Sequence, residues 1–159
     1  MKKRTWMISV FIILLDQGLK LLIRKTVPGS ILAEISGVVS ISHTINSGAA
    51  FGIFPGQTIW IAVFSLILMA ALCMYVHKNL RLTAPAKAAL SCMIGGGIGN
   101  LIDRIVYQNV TDYIQLLWID FPVFNFADIA ITVSVAVMFI LLVIGRFEES
   151  TGENNGSID

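Results

Sequence analysis

Four apolar runs, residues 6–23, 59–77, 88–106 and 126–145, approach or reach the roughly 20 residues that span a bilayer as helix. Hydrophobic residues make up 56% of the 159 positions and charged ones only 13%, which sets the chain apart from soluble domains. The class that follows is all-α integral membrane. One four-helix domain is expected over residues 1–147, and the polar, Gly-rich segment 148–159 is expected to be a disordered tail.

The first run follows Lys2, Lys3 and Arg4 and so imitates a secretory signal. It is too long and lacks a small-residue cleavage site before its polar exit, so it reads as a retained helix. Cys73 and Cys92 lie inside the second and third runs without metal-ligand spacing, and read as small packing residues. A formal net charge of +1 gives nucleic-acid binding no electrostatic support.

Lysine and arginine in short loops set the orientation. Lys2, Lys3 and Arg4, then Lys78, Arg81 and Lys87, then Arg146 can all be cytoplasmic at once, with both termini inside. Residues 24–58 and 107–125 then face outward. Alternation around Val39, Ile41 and Thr44 predicts a short half-buried strand or hairpin in the first outer segment. Residues 48–54 are apolar but broken by glycine, and are expected at the interface or over the top of the bundle.

Ionisable residues inside membrane segments cost about 2.5 to 3.5 kcal/mol on insertion scales and normally face the bundle interior or water. Three clusters qualify: Asp16, Gln17 and Lys20; Asn100, Asp103 and Arg104; Asn125 and Asp128. At about 1.5 Å per residue from the cytoplasmic ends, Asp16 lies about 15 Å deep, Asn100 about 19 Å and Asp103 about 23 Å. Asp128 starts at the outer edge of a helix running the other way. Everything polar therefore converges on the outer half, where the loop residues Asn46 and Asp112 can join it.

Plainer readings exist for each cluster. Asp16 and Lys20, spaced i, i+4, can neutralise one another with Lys20 reaching outward. Asp103 and Arg104 can form a structural ion pair tying the third helix to an outer loop. Asn125 and Asp128 fit an N-cap and its N3 carboxylate. Gly95, Gly96, Gly97 and Gly99 lack the ending of a phosphate loop and suit close helix packing. His43 and His77 are far apart in topology, so no metal site is expected.

Without a plausible Cys or His nucleophile, a catalytic site here must use carboxylates. Two aspartates sharing one proton can activate water and protonate a leaving amine. Asp128, at the positive end of a helix dipole, suits the ionised role. By topology its partner is Asp112 or Asp120. A small transporter is a competing reading, although the cytoplasmic halves of the second and fourth runs carry no polar path. A metal-dependent membrane transferase is another, although the aspartate spacing gives no helical Asp-rich motif.

The stretches "DQGLK" at 16–20, "NSGAAFGIF" at 46–54, "GGGIGNLIDRI" at 95–105, "VTDYI" at 110–114 and "FPVFNFADIAI" at 121–131 occur in order across the four-helix profile. Together they resemble the bacterial lipoprotein signal peptidase family, signal peptidase II, up to about residue 147. The resemblance implies an aspartic endopeptidase of the bacterial cytoplasmic membrane. Such an enzyme cuts the signal peptide from diacylglyceryl-modified prolipoproteins just before the lipidated Cys, with no cofactor and no metal.

By the same resemblance the catalytic pair is Asp112 and Asp128. The resemblance also implies that Asp16, Asn46, Asn100, Arg104 and Asn125 hold substrate or support the pair; Lys20 and Gly48 are expected to support it beside them, and Asp103 is expected to be structural. Residues 48–51 would be part of a mobile outer cover. Where the family usually shows Val-Asp-Phe, this chain has Thr111-Asp112-Tyr113. The expected partners are prolipoprotein and membrane lipid, and a monomer suffices.

Overall fold

The computed structural model describes residues 2–49, 53–79 and 81–149. Its element order is α1 (Lys2–Ile23), β1 (Ile31–Ile35), β2 (Val39–Asn46), α2 (Thr58–Lys78), α3 (Ala84–Tyr107), β3 (Val110–Leu116) and α4 (Phe126–Val143). All four helices are long and apolar enough to cross a membrane. Each predicted span falls within or closely over one of them. Helix α3 begins at Ala84, ahead of the apolar run. Pro85 suits a first turn, and the Thr83 hydroxyl caps it by accepting from the Ala86 N–H at 3.4 Å. Helix α4 stops at Val143 because Gly145 turns left-handed at φ 64°. Its N–H donates to Leu142 O, and the Arg146 N–H donates to Leu141 O, which closes the helix end.

Helix α3 is the centre of the bundle. Of its span 67% is buried, against 22%, 11% and 22% for α1, α2 and α4. Its glycines make that position possible. A Cβ on Gly95 would meet Ile12 of α1 at 2.7 Å, one on Gly96 would meet the Ala127 carbonyl oxygen of α4 at 2.6 Å, and one on Gly97 would strike Met69 of α2. Three neighbours thus approach one short run of glycines from different sides, as packing between helices in lipid favours. Outward-facing residues such as Phe11, Phe64, Ile67, Val133 and Phe139 are exposed and form the apolar exterior.

Gly96→Ala should lower the unfolding temperature in detergent, with a cost of about 1 to 3 kcal/mol for overpacking. The obstructing atom is backbone, so the helices must part. Gly18→Ala is the control, since nothing lies within 4 Å of that Cβ. Equal melting of the two variants would show that the α3–α4 approach is not tight.

The apolar core and the polar residues occupy opposite ends. Val76, Leu82, Ala86, Leu90, Ile94 and Leu141 cluster with Trp6 and Phe147 at the end where the α2–α3 loop meets the exit from α4. There Leu82 pairs antiparallel with Glu148, and the Glu149 N–H donates to Arg81 O. The first two residues of the expected tail are therefore tied down by backbone bonds, and residues 150–159 lie outside the described residues.

The other end is covered by a three-stranded antiparallel sheet in the order β1-β2-β3. The expected strand is β2, and β1 completes a hairpin with it. Between β2 and β3 the register shifts: Ile41 faces Ile114, yet Thr44 faces Asp112. Three steps along β2 match two along β3, so β2 carries a bulge beside Asp112. Asn46 then lies two residues beyond Thr44, on the same face and within diagonal reach of Asp112.

Candidate active site

The first turn of α4 leaves four backbone N–H groups without helical partners, and side chains take all four. Asn125 Oδ1 accepts from the Asp128 N–H at 3.0 Å, and Asp128 Oδ2 accepts from the Asn125 N–H at 3.1 Å. That is a reciprocal capping box. The Ala127 N–H donates to Asp16 Oδ1 at 3.2 Å, and the Phe126 N–H donates to the Tyr113 hydroxyl at 3.2 Å. The cap expected for Asn125 and Asp128 is present, and α1 and β3 are drawn to the same turn.

Asp112 stands opposite. Its Oδ2 accepts from Asn46 Nδ2 at 2.9 Å and its Oδ1 from Asn125 Nδ2 at 2.7 Å. Asn125 Nδ2 also donates to Asn100 Oδ1 at 3.1 Å, and Asn100 Nδ2 donates to Asp128 Oδ1 at 2.8 Å. Lys20 fixes the orientation of Asn100. An ammonium only donates, and Lys20 Nζ lies 2.8 Å from Asn100 Oδ1, so the amide N–H groups must turn toward Asp128.

Behind this pair lies a buried ionic quartet. Lys20 Nζ is 2.9 Å from Asp16 Oδ2 and 3.3 Å from Asp103 Oδ2, and Arg24 lies 2.6 Å from Asp103 Oδ1. Two carboxylates and two cations balance, as burial of charge requires. Gln17 Nε2 joins them, donating to Asp16 at 3.1 Å and to Asp103 at 3.0 Å.

Two expectations need correction. Lys20 does not reach outward to solvent or headgroups; it is fully buried inside the quartet. Asp103 pairs with Lys20 and Arg24 rather than with Arg104. Neighbouring residues on a helix point about 100° apart, so Arg104 faces elsewhere. It donates to Asn100 O at 3.3 Å and to Gly48 O at 3.2 Å, and it sits in the field of both Asp128 and Asp112.

Asp16, Lys20, Asn46, Gly48, Asn100, Arg104, Asp112, Asn125 and Asp128 thus meet in one network, with Asp103 behind them. Asp120 stays exposed in the β3–α4 loop. Gln17 and Arg24 also belong to the network, beyond the residues expected from sequence. The available signal for Gln17 was an amide beside an intramembrane aspartate. Arg24, at a helix end, looked like an ordinary boundary charge. Of the expected cover, Gly48 is buried and bonded to Arg104, and residues 50 and 51 lie outside the described residues.

A cleft of about 350 Å³ opens over Asp112, lined also by Thr44, Asn46, Gly48, Pro55 and Pro122. Asp112 is 2% exposed. Burial pushes its carboxyl up to about 6, and the charge of Asp128 adds to the rise, while hydrogen bonds from Asn46 and Asn125 restrain it.

The family model described as signal peptidase (SPase) II matches residues 8–144. A lipoprotein signal peptidase of Gloeobacter violaceus is 35% identical over 85% of this chain and 79% of its own length. One from Streptococcus pneumoniae is 35% identical over 89% of this chain and 95% of its own. A bacterial membrane enzyme solved by the in meso method superimposes with a TM-score of 0.83 at 30% identity, covering 89% of this chain and 88% of that one.

Proposed function

The chain belongs to the signal peptidase II family of aspartic peptidases, and on that premise we propose that Asp112 and Asp128 are its catalytic pair. It is a multi-pass membrane protein. In this reading its substrate is a prolipoprotein with a Cys that carries diacylglycerol, and the bond cut lies just before that Cys. The observation that carries the reading is the bridging of two aspartates by Asn125 and Asn100, beneath a cleft at the sheet-covered end of the bundle.

The chemistry follows from unequal surroundings. Asp128 sits where the helix dipole, the Asn125 N–H and the Asn100 amide all meet a negative charge. Asp112 is assigned the shared proton, since burial favours its neutral form. Asp128 takes a proton from water as the oxygen attacks the peptide carbonyl, and Asp112 protonates the carbonyl oxygen. Collapse of the tetrahedral intermediate passes a proton to the leaving nitrogen. Arg104 balances one of the two aspartates, and the shared proton neutralises the other.

The Lys and Arg distribution supports an outward-facing site with both termini in the cytoplasm. That depth suits a substrate whose acyl chains stay in lipid. All network residues lie between Asp16 and Asp128, which supports residues 1–147 as the catalytic domain. One chain supplies both carboxylates, which supports a monomer. Family membership favours this reading over a transporter or a metal-dependent transferase.

The test is cleavage of a diacylglyceryl-modified prolipoprotein in detergent, with the product mass identified and the unmodified precursor as control. Equal cutting of the unmodified precursor would overturn the substrate assignment. In the same assay kcat/KM should fall as pH rises through about 6, as Asp112 loses its proton. Asn46→Ala removes a bond to the charged form, so that limb should move to higher pH. An unmoved limb would remove Asp112 from the titration. Folding carries the same sign. Asp112 binds its proton more tightly folded than unfolded, so its contribution to stability is complete below 3.8 and is lost as pH rises through about 6.

A further inference from the structure

Alternation along β3 puts Thr111 and Tyr113 on the sheet face opposite Asp112. Both are buried, and each makes a polar contact that Val or Phe could not. The Thr111 hydroxyl accepts from Arg24 Nε at 2.9 Å, while the Thr111 N–H donates to Asp103 Oδ2 at 3.1 Å. Arg24 and Asp103 are themselves paired, so the three residues close a ring joining the end of α1, helix α3 and β3. Arg24 is held from its other side by the Tyr107 ring, 3.9 Å from the ring centroid.

Two residues on, the Tyr113 hydroxyl accepts the N–H of Phe126, the first residue of α4. Burial pushes this phenol up to about 12, so it stays neutral wherever the aspartates work. The contact falls two residues before Asp128. It adds a side-chain tie to the backbone bonds that β3 already makes with Phe124.

We propose that Thr111 and Tyr113 are positioning residues for the aspartate pair: one anchors β3 to the Arg24–Asp103 ring, the other anchors β3 to the first turn of α4, and together they set Asp112 against Asp128. The proposal rests on the catalytic pair assigned above. Asp112 hangs between two anchors on its own strand, and Asp128 hangs from the turn that one of them holds. Misplacement of reacting groups by about 1 Å can cost a hundredfold in rate, so slackening either anchor should be visible. The charged groups bearing on Asp112 are Asp128 and Lys20, and Arg104 faces the pair from α3.

Thr111→Val and Tyr113→Phe keep shape and remove one hydroxyl each. In the full chain, assayed with diacylglyceryl-modified prolipoprotein, each should lower kcat about tenfold with KM little changed. The kcat/KM limb near 6 should move to lower pH, because burial raises Asp112 most and slackened carboxylates that separate lose the repulsion from Asp128 that adds to that rise. Thr111→Ser should restore kcat. Wild-type kcat and pH profile in both variants would overturn the proposal, even if their melting temperatures fell. Activity retained in Asp112→Asn or Asp128→Asn would overturn the pair itself. Loss in those two alongside wild-type kcat in Thr111→Val and Tyr113→Phe would remove only the positioning role.

Discussion

Asp112→Asn and Asp128→Asn should each abolish prolipoprotein cleavage, with a loss on the order of 10⁴-fold in turnover, while the bundle stays folded. In the proposed mechanism neither amide can hold or pass the proton assigned to the pair. The fold should tolerate both changes, because Asn matches Asp in shape and keeps one acceptor. In Asp128→Asn the new amide would face a donor from Asn100 or from the Asn125 N–H, which sacrifices one hydrogen bond worth about 1 kcal/mol. In Asp112→Asn the conflict is with Asn46 or Asn125. Turnover measured beside thermal unfolding separates chemistry from collapse. Substantial turnover in either variant would end the assignment of an aspartate pair.

Asp103→Asn should act in the opposite way, through stability. Asp103 is fully buried and pairs with both Lys20 and Arg24. Its loss leaves the buried Lys20 and the partly buried Arg24 with Asp16 as the one carboxylate of the quartet, and breaking a buried pair in this manner costs about 3 to 5 kcal/mol. A large fall in unfolding temperature is expected, with activity declining as folded protein is lost. A variant that melts normally yet fails to turn over substrate would place Asp103 in the chemistry.

These two outcomes divide along a line already visible in the sequence. Asp16 and Lys20 are four apart in an apolar helix, and that local spacing is enough to predict their contact. Asn125 and Asp128 are three apart at a helix start, which predicts the capping box. The four spans are equally legible, since each exceeds or approaches the bilayer thickness on its own. In all these cases the interacting groups belong to one short segment.

Asp103 shows where local reading fails. Arg104 is its neighbour in sequence, yet helix rotation carries the two side chains apart, and its partners are Lys20 of α1 and Arg24 just beyond that helix. Arg24 shows the complementary failure. A cation at a membrane boundary is ordinarily accommodated by headgroups, so nothing in its own segment marks it as the partner of a buried carboxylate.

Hydropathy, helix periodicity and capping are short-range properties, and by themselves they determined four membrane-crossing helices, the gathering of polar groups toward one end of them and the cap on α4. Motif resemblance added the expected roles of Asp112 and Asp128. Only the tertiary structure decided which partners those groups meet. The β2 bulge brings Asn46 to Asp112, the α3 glycines draw the helices together, and Asn100 and Asn125 bridge the two carboxylates. Contacts between distant segments depend on how closely and in what register those segments pack, and no single segment carries that information.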